Sequence, residues 1–173
     1  GRCSQIISSL LTFSRKSPPA FTAVNPVQLL ERCVILSQHK LELSNIRLTV
    51  EVSPGLPTII GDYNQLQQCI INLIFNAIDA MPDGGRLDLT AGTDSDKKRV
   101  RIAVRDTGQG IAPQDQSHIF EPFFTTKKEG YGVGLGLATV FGIVEHHKGT
   151  ITFESKKGVG TTFTIHLPFA DQV

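Results

Sequence analysis

Three polar residues fall on one side of a segment that is otherwise mostly apolar between Leu66 and Met81. Asn72, Asn76 and Asp79 are separated by four and three positions, so a helix would place them on one face. Asparagine is a poor residue for a helix interior, because its side chain competes for backbone hydrogen bonds. Its amide oxygen is nevertheless a hard, neutral ligand that suits Mg²⁺, which takes few protein ligands and keeps its waters and phosphates. Taken alone, the three residues favour the alternative, an exposed and solvated helix face.

A second group, Asp106-Thr107-Gly108-Gln109-Gly110-Ile111, follows directly after a predicted strand. Its glycines permit positive φ angles and a close approach of backbone to a ligand. An aspartate at the end of a strand could accept a hydrogen bond from a buried ligand amine, such as the exocyclic amine of adenine. The alternative is a simple Asp-Thr-Gly turn.

Glycine is concentrated in the run Gly130–Gly136, which holds four glycines in seven residues and opens a predicted helix. Free amides at a helix N-terminus form an anion site, and a phosphate chain is the natural ligand. The alternative is a flexible hinge. The dinucleotide spacing G-x-G-x-x-G and the Gly-Lys pair of a P-loop are both absent from the sequence, so neither of those phosphate sites is expected.

The segment Phe120–Lys127 places three phenylalanines, Phe120, Phe123 and Phe124, before Thr125, Thr126 and Lys127. Aromatic anchors could pin a lid that opens and closes over a ligand. Lys127 could then neutralise a terminal phosphate. The alternative is a loop that folds onto the core.

A last glycine turn, Gly158–Gly160, enters the final predicted strand. As a structural turn it needs no function. As part of a site, it would let Thr161 touch a base through its hydroxyl or through a water.

The periodicity of apolar residues predicts the elements that must position these groups. Asn25 and Asp62 are expected to cap helices. Helices are predicted over residues 3–15, from Pro26 to about His39, from Asp62 through Met81 and from Gly134 to His147, with a short helix near Pro113–His118. Strands are predicted at Ile46–Val52, Thr58–Ile60, Arg86–Ala91, Arg99–Arg105, Thr150–Ser155 and Thr161–Leu167. This mixture indicates an α+β fold, a two-layer sandwich of sheet and helices.

Composition excludes several classes of protein. The 173 residues carry 17 basic and 16 acidic side chains, which argues against a nucleic-acid module and against an acidic disordered tail. Three distant cysteines make neither a zinc site nor a disulfide framework. No apolar run reaches the length of a membrane span, and no signal peptide is present.

The order of the motifs is far more specific than any one of them. The succession NLIFNAIDA, DTGQGI, FEPFFTTK, GYGVGLGLA and GVGTTF closely resembles the N, G1, F, G2 and G3 boxes of sensor histidine kinases, over roughly residues 25–168. These kinases belong to the wider ATPase superfamily of DNA gyrase and mismatch-repair proteins. FEPFFTTK and GLATVFGIVEHHKGTITFES look most like the nitrogen-regulation branch. The resemblance implies a Bergerat-type sandwich that binds Mg-ATP.

By position, the resemblance makes Asn76 the magnesium ligand and Asp106 the acceptor for the adenine amine. It places Lys127 near the γ-phosphate and makes Asn72, Asn76 and Lys127 the catalytic residues. The nucleotide-binding residues that it implies are Asn72, Asn76, Asp79, Asp106, Gly108, Gly110, Ile111, Phe120, Thr125, Thr126, Lys127, Gly132, Val133, Gly134, Leu135, Gly136 and Thr161.

Two departures from the family pattern keep alternatives open. Many relatives carry lysine or arginine where Tyr131 stands and threonine or serine where Val133 stands, so this lid is expected to make fewer phosphate contacts. Asn72 stands where hydrolytic members carry a glutamate that activates water, and an amide is not a general base. The expected activity is therefore transfer to histidine, with an ATP-hydrolysing ATPase and a non-catalytic nucleotide-binding or docking module as alternatives.

A histidine kinase needs an acceptor histidine, and none of the five histidines has the acidic context that the family uses. His146 and His147 are expected to end the helix after the glycine run, where positive charge suits the helix dipole. SLLTFSR resembles the end of a second dimerisation helix, so residues 1–16 are expected to end a dimerisation hairpin, 17–25 to be a linker and 26–170 the catalytic domain. We expect the chain to be a fragment that binds ATP without phosphorylating itself.

The resemblance also implies partners. They are ATP, the protein's own dimerisation domain in a homodimer, and the receiver domain of a response regulator, with no nucleic acid. A cytoplasmic location is expected for this segment, and membrane anchoring of a longer parent is left open.

Overall fold

The computed structural model describes residues 21–94, 98–124 and 136–169. In these ranges the chain forms seven strands, three α-helices and one 3₁₀ helix. The strands are β1 (Thr22–Val24), β2 (Ile46–Val52), β3 (Ile59–Gly61), β4 (Gly85–Asp94), β5 (Arg99–Asp106), β6 (Thr150–Lys156) and β7 (Gly160–Pro168). The helices are α1 (Pro26–Leu43), α2 (Tyr63–Asp79) and α3 (Gly136–His146), and the 3₁₀ helix is Pro113–His118.

Five of these strands form one mixed sheet in the order β2-β4-β5-β7-β6. The β2–β4 pair is parallel and the other three pairs are antiparallel. The register places Asp106, the last residue of β5, opposite Thr161 of β7. The two remaining strands, β1 and β3, pair antiparallel beside the sheet.

One face of the five-stranded sheet carries the helices, with α1 against β2, α2 against β5 and α3 against β6. Alternate residues of the central strands, such as Leu89, Ile102 and Ile165, are buried in the shared core. On the opposite face Arg101 and Arg105 are exposed. This alternation confirms the predicted two-layer sandwich.

Both predicted helix caps are present. The Asn25 side chain accepts hydrogen bonds from the Val27 and Gln28 amides at the start of α1. The Asp62 carboxylate accepts one from the Gln65 amide, at 3.1 Å, at the start of α2. Each cap satisfies an amide that has no partner inside its helix.

Several boundaries differ from the sequence prediction. Helix α1 continues past His39 to Leu43, because Leu41 extends its buried stripe. Helix α2 ends at Asp79, before the expected Met81, and β4 continues past Ala91 to Asp94 by pairing with β5. Strand β3 is shifted by one residue from its prediction.

The stretch predicted as a linker, residues 17–25, contains strand β1. Three residues are too few for periodicity to reveal, and their partner β3 lies more than thirty positions away. The helix predicted over residues 3–15 lies outside the described residues, as do the first two positions, 134 and 135, of the helix predicted from Gly134 to His147. Among the described residues, no helix is long and apolar enough to cross a membrane.

Candidate functional site

Helix α2 has a buried apolar side and a more exposed side that carries polar residues. Its apolar residues, Leu66, Cys69, Ile70, Leu73, Ile74 and Ala77, are buried as predicted. Asn72 and Asn76 are half-buried, and Asp79 is exposed. The sequence therefore predicted both sides of the helix except at Ala80, which was expected on the apolar face and is half-buried at the end of the polar side.

Asn72, Asn76 and Ala80 follow one another at intervals of four residues and define what we call the α2 ridge. At one end, the Asn72 Nδ2 group donates a hydrogen bond to the carbonyl of Gly136, the first residue of α3, at 3.4 Å. At the other end, the Ala80 carbonyl accepts from the Gln109 amide at 3.0 Å. The ridge thus joins the start of α3 to the Asp106–Ile111 loop across about 12 Å, or eight helical residues.

Asp106 is the buried carboxylate of this loop, with only 4% of its surface exposed. Its Oδ1 atom accepts hydrogen bonds from the amides of Gly108, at 2.8 Å, and Thr161, at 3.3 Å. Among the described residues, its Oδ2 atom has no hydrogen-bond partner. Burial raises the pKa of Asp106, an effect that the two amide hydrogen bonds oppose. The arrangement leaves one acceptor oxygen for a ligand.

The glycines of this loop permit close contacts that a side chain would block. A Cβ atom on Gly108 would collide with the Ala80 carbonyl at the end of α2. Gly110 has a φ of +73° and lies against the Lys156 backbone, so it is restricted both by its dihedral angle and by its neighbour. The loop therefore packs directly onto α2 and onto the β6–β7 turn.

A hydroxyl pair supports the far side of the loop. The Ile111 amide donates to Ser155 Oγ at 2.8 Å, and Ser155 Oγ and Thr161 Oγ1 are 2.7 Å apart. Thr161 is buried, and its hydroxyl and amide both bind protein groups, so it holds Asp106 and Ser155 in place. Ser155 was not among the site residues expected from the sequence. The signal that was available is the β6–β7 hairpin, whose register places Ser155 opposite Thr161.

The three phenylalanines that were expected to anchor a lid behave differently from one another. Phe120 contacts the rings of Phe141, Phe153 and Phe163, with centroids 5.4 to 6.3 Å apart. Phe124 packs against the core and lies 5.7 Å from the His118 ring. Phe123 is 64% exposed with a φ of +68°, so the expectation that it anchors the loop is wrong. The turn that seats Phe120 and Phe124 directs Phe123 outwards.

Other predicted site residues lie outside the described part of the chain. They are Thr125, Thr126, Lys127, Gly132, Val133, Gly134 and Leu135. Within the described part, the structure brings Asp106, Gly108, Gly110, Ile111 and Thr161 together at one end of the α2 ridge. It brings Asn72 and Gly136 together at the other end, with Asn76 between them.

No group of three or more His, Cys, Asp or Glu side chains in the described ranges could hold a metal ion. A cation at this site would therefore need ligands from elsewhere, such as the oxygens of a phosphate chain, in addition to a neutral amide. The half-buried Asn76 supplies an amide of that kind.

Sequence comparison with known proteins identifies the family of the chain. The family of histidine kinase-, DNA gyrase B-, and HSP90-like ATPases matches residues 61–171. The sensor histidine kinase ZraS of Escherichia coli K12 is 38% identical over 167 residues, which cover 96% of this chain and 35% of ZraS. Sporulation kinase E of Bacillus subtilis 168 is 34% identical over 167 residues, covering 96% of this chain and 22% of that kinase.

Solved structures give the same result. Full-length ShkA, crystallised in complex with AMPPNP, superimposes with a TM-score of 0.83 at 32% identity, over 96% of this chain and 35% of ShkA. The nucleotide-free catalytic domain of the histidine kinase ThkA superimposes with a TM-score of 0.76 at 31% identity, over 86% of this chain and 95% of that domain.

The chain belongs to the histidine kinase-, DNA gyrase B-, and HSP90-like ATPase family. Within that family it is an ATP-binding catalytic domain of the sensor histidine kinase type. It spans about a third or less of the length of the curated kinases reported above.

Proposed function

We propose that the chain binds Mg-ATP along the α2 ridge, with adenine at Asp106 and the phosphates beside Asn72 and Gly136. Within a longer protein, it would transfer the γ-phosphoryl group of ATP to a histidine of a dimerisation domain, releasing ADP. The observation that carries this proposal is the buried Asp106, whose Oδ1 is fixed by two backbone amides while Oδ2 has no partner among the described residues.

The adenine end is supported by donor and acceptor chemistry. Adenine presents an exocyclic amine, which is a donor, whereas guanine presents a carbonyl at the equivalent position. An ionised carboxylate only accepts hydrogen bonds. Gly108, Gly110 and Ile111 shape the pocket beside Asp106, and Thr161 holds the carboxylate in place. This end of the site should therefore select ATP over GTP.

The phosphate end is supported by the contact between Asn72 and Gly136. The amides at the start of α3 and the residues just before it, Gly132, Val133, Gly134 and Leu135, would bind the phosphate chain. Thr125, Thr126 and Lys127 would approach the terminal phosphates, and Phe120 would fix the base of that segment. Asp79 completes the polar side of α2.

Asn76 would hold the magnesium ion together with phosphate oxygens. Mg²⁺ bound there would neutralise charge on the phosphates during transfer. Asn72 would orient the phosphates, as its bond to the α3 backbone suggests. Since its amide cannot take a proton from water, transfer to an external acceptor is favoured over hydrolysis.

Partners follow from the same proposal. ThkA has been solved in complex with the response regulator TrrA, and that complex superimposes on this chain with a TM-score of 0.79 at 27% identity. We infer a response-regulator receiver domain as a partner here, along with the protein's own dimerisation domain in a cytoplasmic homodimer. None of this chain's histidines is inferred to be the acceptor, so the chain would not phosphorylate itself.

Calorimetric titration with a non-hydrolysable ATP analogue and Mg²⁺ tests the binding step. We expect one site per chain, and far weaker binding of the matching GTP analogue because its carbonyl would face Asp106. No binding of the ATP analogue at millimolar concentration would support a non-catalytic docking module instead. Equal binding of both analogues would contradict the placement of adenine.

The transfer step needs a separate measurement. The chain, incubated with ATP, Mg²⁺ and a dimerisation domain that carries an acceptor histidine, should produce acid-labile phosphohistidine on that domain only. Steady release of inorganic phosphate without an acceptor, abolished by Asn76→Ala, would favour the ATPase alternative.

A further inference from the structure

His147 follows the last residue of α3 directly and lies buried, with 4% of its surface exposed, at the start of α2. From its sequence position, His147 was expected to end the helix with a positive charge. Its Nδ1 atom does contact its own helix, at the Ile143 carbonyl, 2.8 Å away. The charge, however, is disfavoured, because burial lowers the pKa of His147.

The two partners of the ring define its protonation state. A carbonyl oxygen only accepts, so Nδ1 carries the proton and donates to Ile143. A backbone amide only donates, so Nε2 is unprotonated and accepts from the Asp62 N–H at 3.0 Å. Both contacts can form together only when His147 is neutral.

The Asp62 contact joins two helices. Asp62 caps α2 with its side chain, while its own amide binds His147 at the end of α3. The ring fits against Gly61, where an added Cβ would approach His147 Cδ2 to 2.7 Å. On another side Phe21 stacks on it at 4.8 Å with an interplanar angle of 17°. These contacts fix the imidazole in one position.

A second contact joins the same helices further along, between Asn72 of α2 and Gly136 of α3. Ten positions separate Asp62 from Asn72 and eleven separate Gly136 from His147, so the two contacts lie about 15 Å apart along either helix. Loss of the His147 contact would allow α3 to shift along α2. Such a shift would move Gly136 away from Asn72, where the phosphates are proposed to bind.

We propose that His147 is a positioning residue that sets the register of α3 against α2, and that it does so only as a neutral imidazole, so that protonation lowers nucleotide affinity. This inference rests on the proposed nucleotide site. The titratable groups that face His147 are Asp62 of α2, which favours the charged ring, and His146 of α3, which disfavours it; Phe21 and Gly61 contribute no charge.

The direction of the pH effect follows from proton linkage. Because the pKa is lower in the folded chain, the unfolded state binds more protons just below pH 6.5. The stability contributed by neutral His147 is complete above that ordinary value and is lost as the pH falls through the lowered one. Nucleotide affinity should decline over the same range.

Two isosteric variants separate the two hydrogen bonds. The amide oxygen of His147→Gln can replace Nε2 and accept from the Asp62 amide. His147→Asn can reproduce only the local donor to Ile143. We expect His147→Asn to weaken binding of the Mg²⁺ complex of the ATP analogue about tenfold at pH 8, and His147→Gln to stay within about threefold of wild type. His146→Gln, at the exposed neighbouring position, is the matched control and should bind like wild type.

The pH profile distinguishes positioning from a purely structural role. The nucleotide's own titration affects all variants equally, so the informative quantity is the affinity of wild type divided by that of His147→Gln. This ratio should fall as the pH is lowered below 6.5, through the lowered pKa of His147. A constant ratio, or equal affinities of His147→Asn and wild type, would overturn the proposal.

The remaining outcomes are also decisive. If wild type binds no nucleotide, the proposed function fails; if wild type binds and His147→Asn binds equally well, only the positioning role fails. Should His147→Asn not fold, nuclear magnetic resonance on wild type decides. The Asp62 amide shift and the His147 imidazole must then titrate with one midpoint, and the wild-type affinity divided by that of His147→Gln must fall over the same pH range; separate midpoints for the amide and the imidazole would refute the inference.

Discussion

Asp106 shows how a single side chain can be held at a cost to the fold. Burial disfavours its ionised form, and only one of its oxygens has partners among the described residues. A perturbed carboxyl group beside a glycine-rich loop is typical of a functional site. The ordinary alternative, an aspartate that only stabilises a turn, would engage Oδ1 but gives no reason for Oδ2 to lack a partner among the described residues.

Asp106→Asn should abolish tight nucleotide binding without harming the fold. The amide oxygen can keep the bonds from Gly108 and Thr161, while Nδ2 then presents donors towards the adenine amine. We expect affinity for the ATP analogue to fall about 30- to 100-fold, or roughly 2–3 kcal/mol, by calorimetry. The free energy of unfolding should stay equal or rise, because a buried charge is removed.

Asp83→Asn, at an exposed position in the turn before β4, is the control for this change and should bind like wild type. An unaltered affinity in Asp106→Asn would mean that adenine binds elsewhere. A collapse of stability in that variant would mean that the carboxylate serves the fold rather than the ligand.

At the scale of elements, the site depends on a loop that can lie directly on the end of a helix. Gly108 allows the Asp106–Ile111 loop to contact Ala80, and the Gln109 amide then binds the Ala80 carbonyl. If adenine binds at Asp106 as proposed, this contact sets its position relative to Asn76. Strand β5 supplies Asp106, but α2 determines where the rest of the loop lies.

Gly108→Ala should therefore destabilise the chain by about 1–3 kcal/mol, since the added methyl group collides with backbone that cannot move aside cheaply. Nucleotide affinity should fall with it. The matched control is Gly142→Ala inside α3, where an added Cβ meets nothing within 4 Å. This variant should be about 0.5–1 kcal/mol more stable. Urea unfolding measures the free energy of unfolding of both variants. Equal changes in Gly108→Ala and Gly142→Ala would contradict the packing argument.

The elements that the sequence predicted well are those with a long periodic signal. Helix α2 carries an apolar stripe over four turns and a capping aspartate, so its buried and polar sides were both predictable. The three-residue strand β1 was missed, because its pairing with β3 is not local. Ser155 was missed for a similar reason, since its role appears only when the β6–β7 register is known.

His147 shows a limit of a different kind. From the sequence, a histidine at the end of a helix suggests a charge that suits the helix dipole. The fold instead buries the ring between α3, Gly61 and Phe21, where the neutral form is favoured. Desolvation depends on residues that are distant in sequence, so it could not be predicted from the local pattern.

For the whole molecule, nucleotide binding and stability are linked. A ligand that binds only the folded chain raises the free energy of unfolding by RT ln(1 + [L]/Kd), about 2.7 kcal/mol at a concentration of 100 Kd. The site joins α2, α3 and the sheet, so this protection should extend through the whole domain. Thermal unfolding with and without the Mg²⁺–ATP analogue measures it.

Asn76→Ala should remove the part of this protection that depends on Mg²⁺. The variant is expected to show the same small increase in melting temperature with the ATP analogue whether Mg²⁺ or EDTA is present. Asn64→Ala, exposed on the same helix, should keep the full Mg²⁺-dependent increase. If Asn76→Ala also keeps the full Mg²⁺-dependent increase in melting temperature, Asn76 is not the metal ligand.

The α2 ridge also restricts which changes in length the chain can accept. Asn72, Asn76 and Ala80 share one direction because each is four residues from the next. A single residue inserted between Asn72 and Ala80 would rotate everything after it by about 100° around the helix axis. An insertion of four would nearly restore the direction but would lengthen the ridge by about 6 Å. Helical phase and length must therefore both be preserved, so this stretch of α2 should admit substitutions but no insertions or deletions.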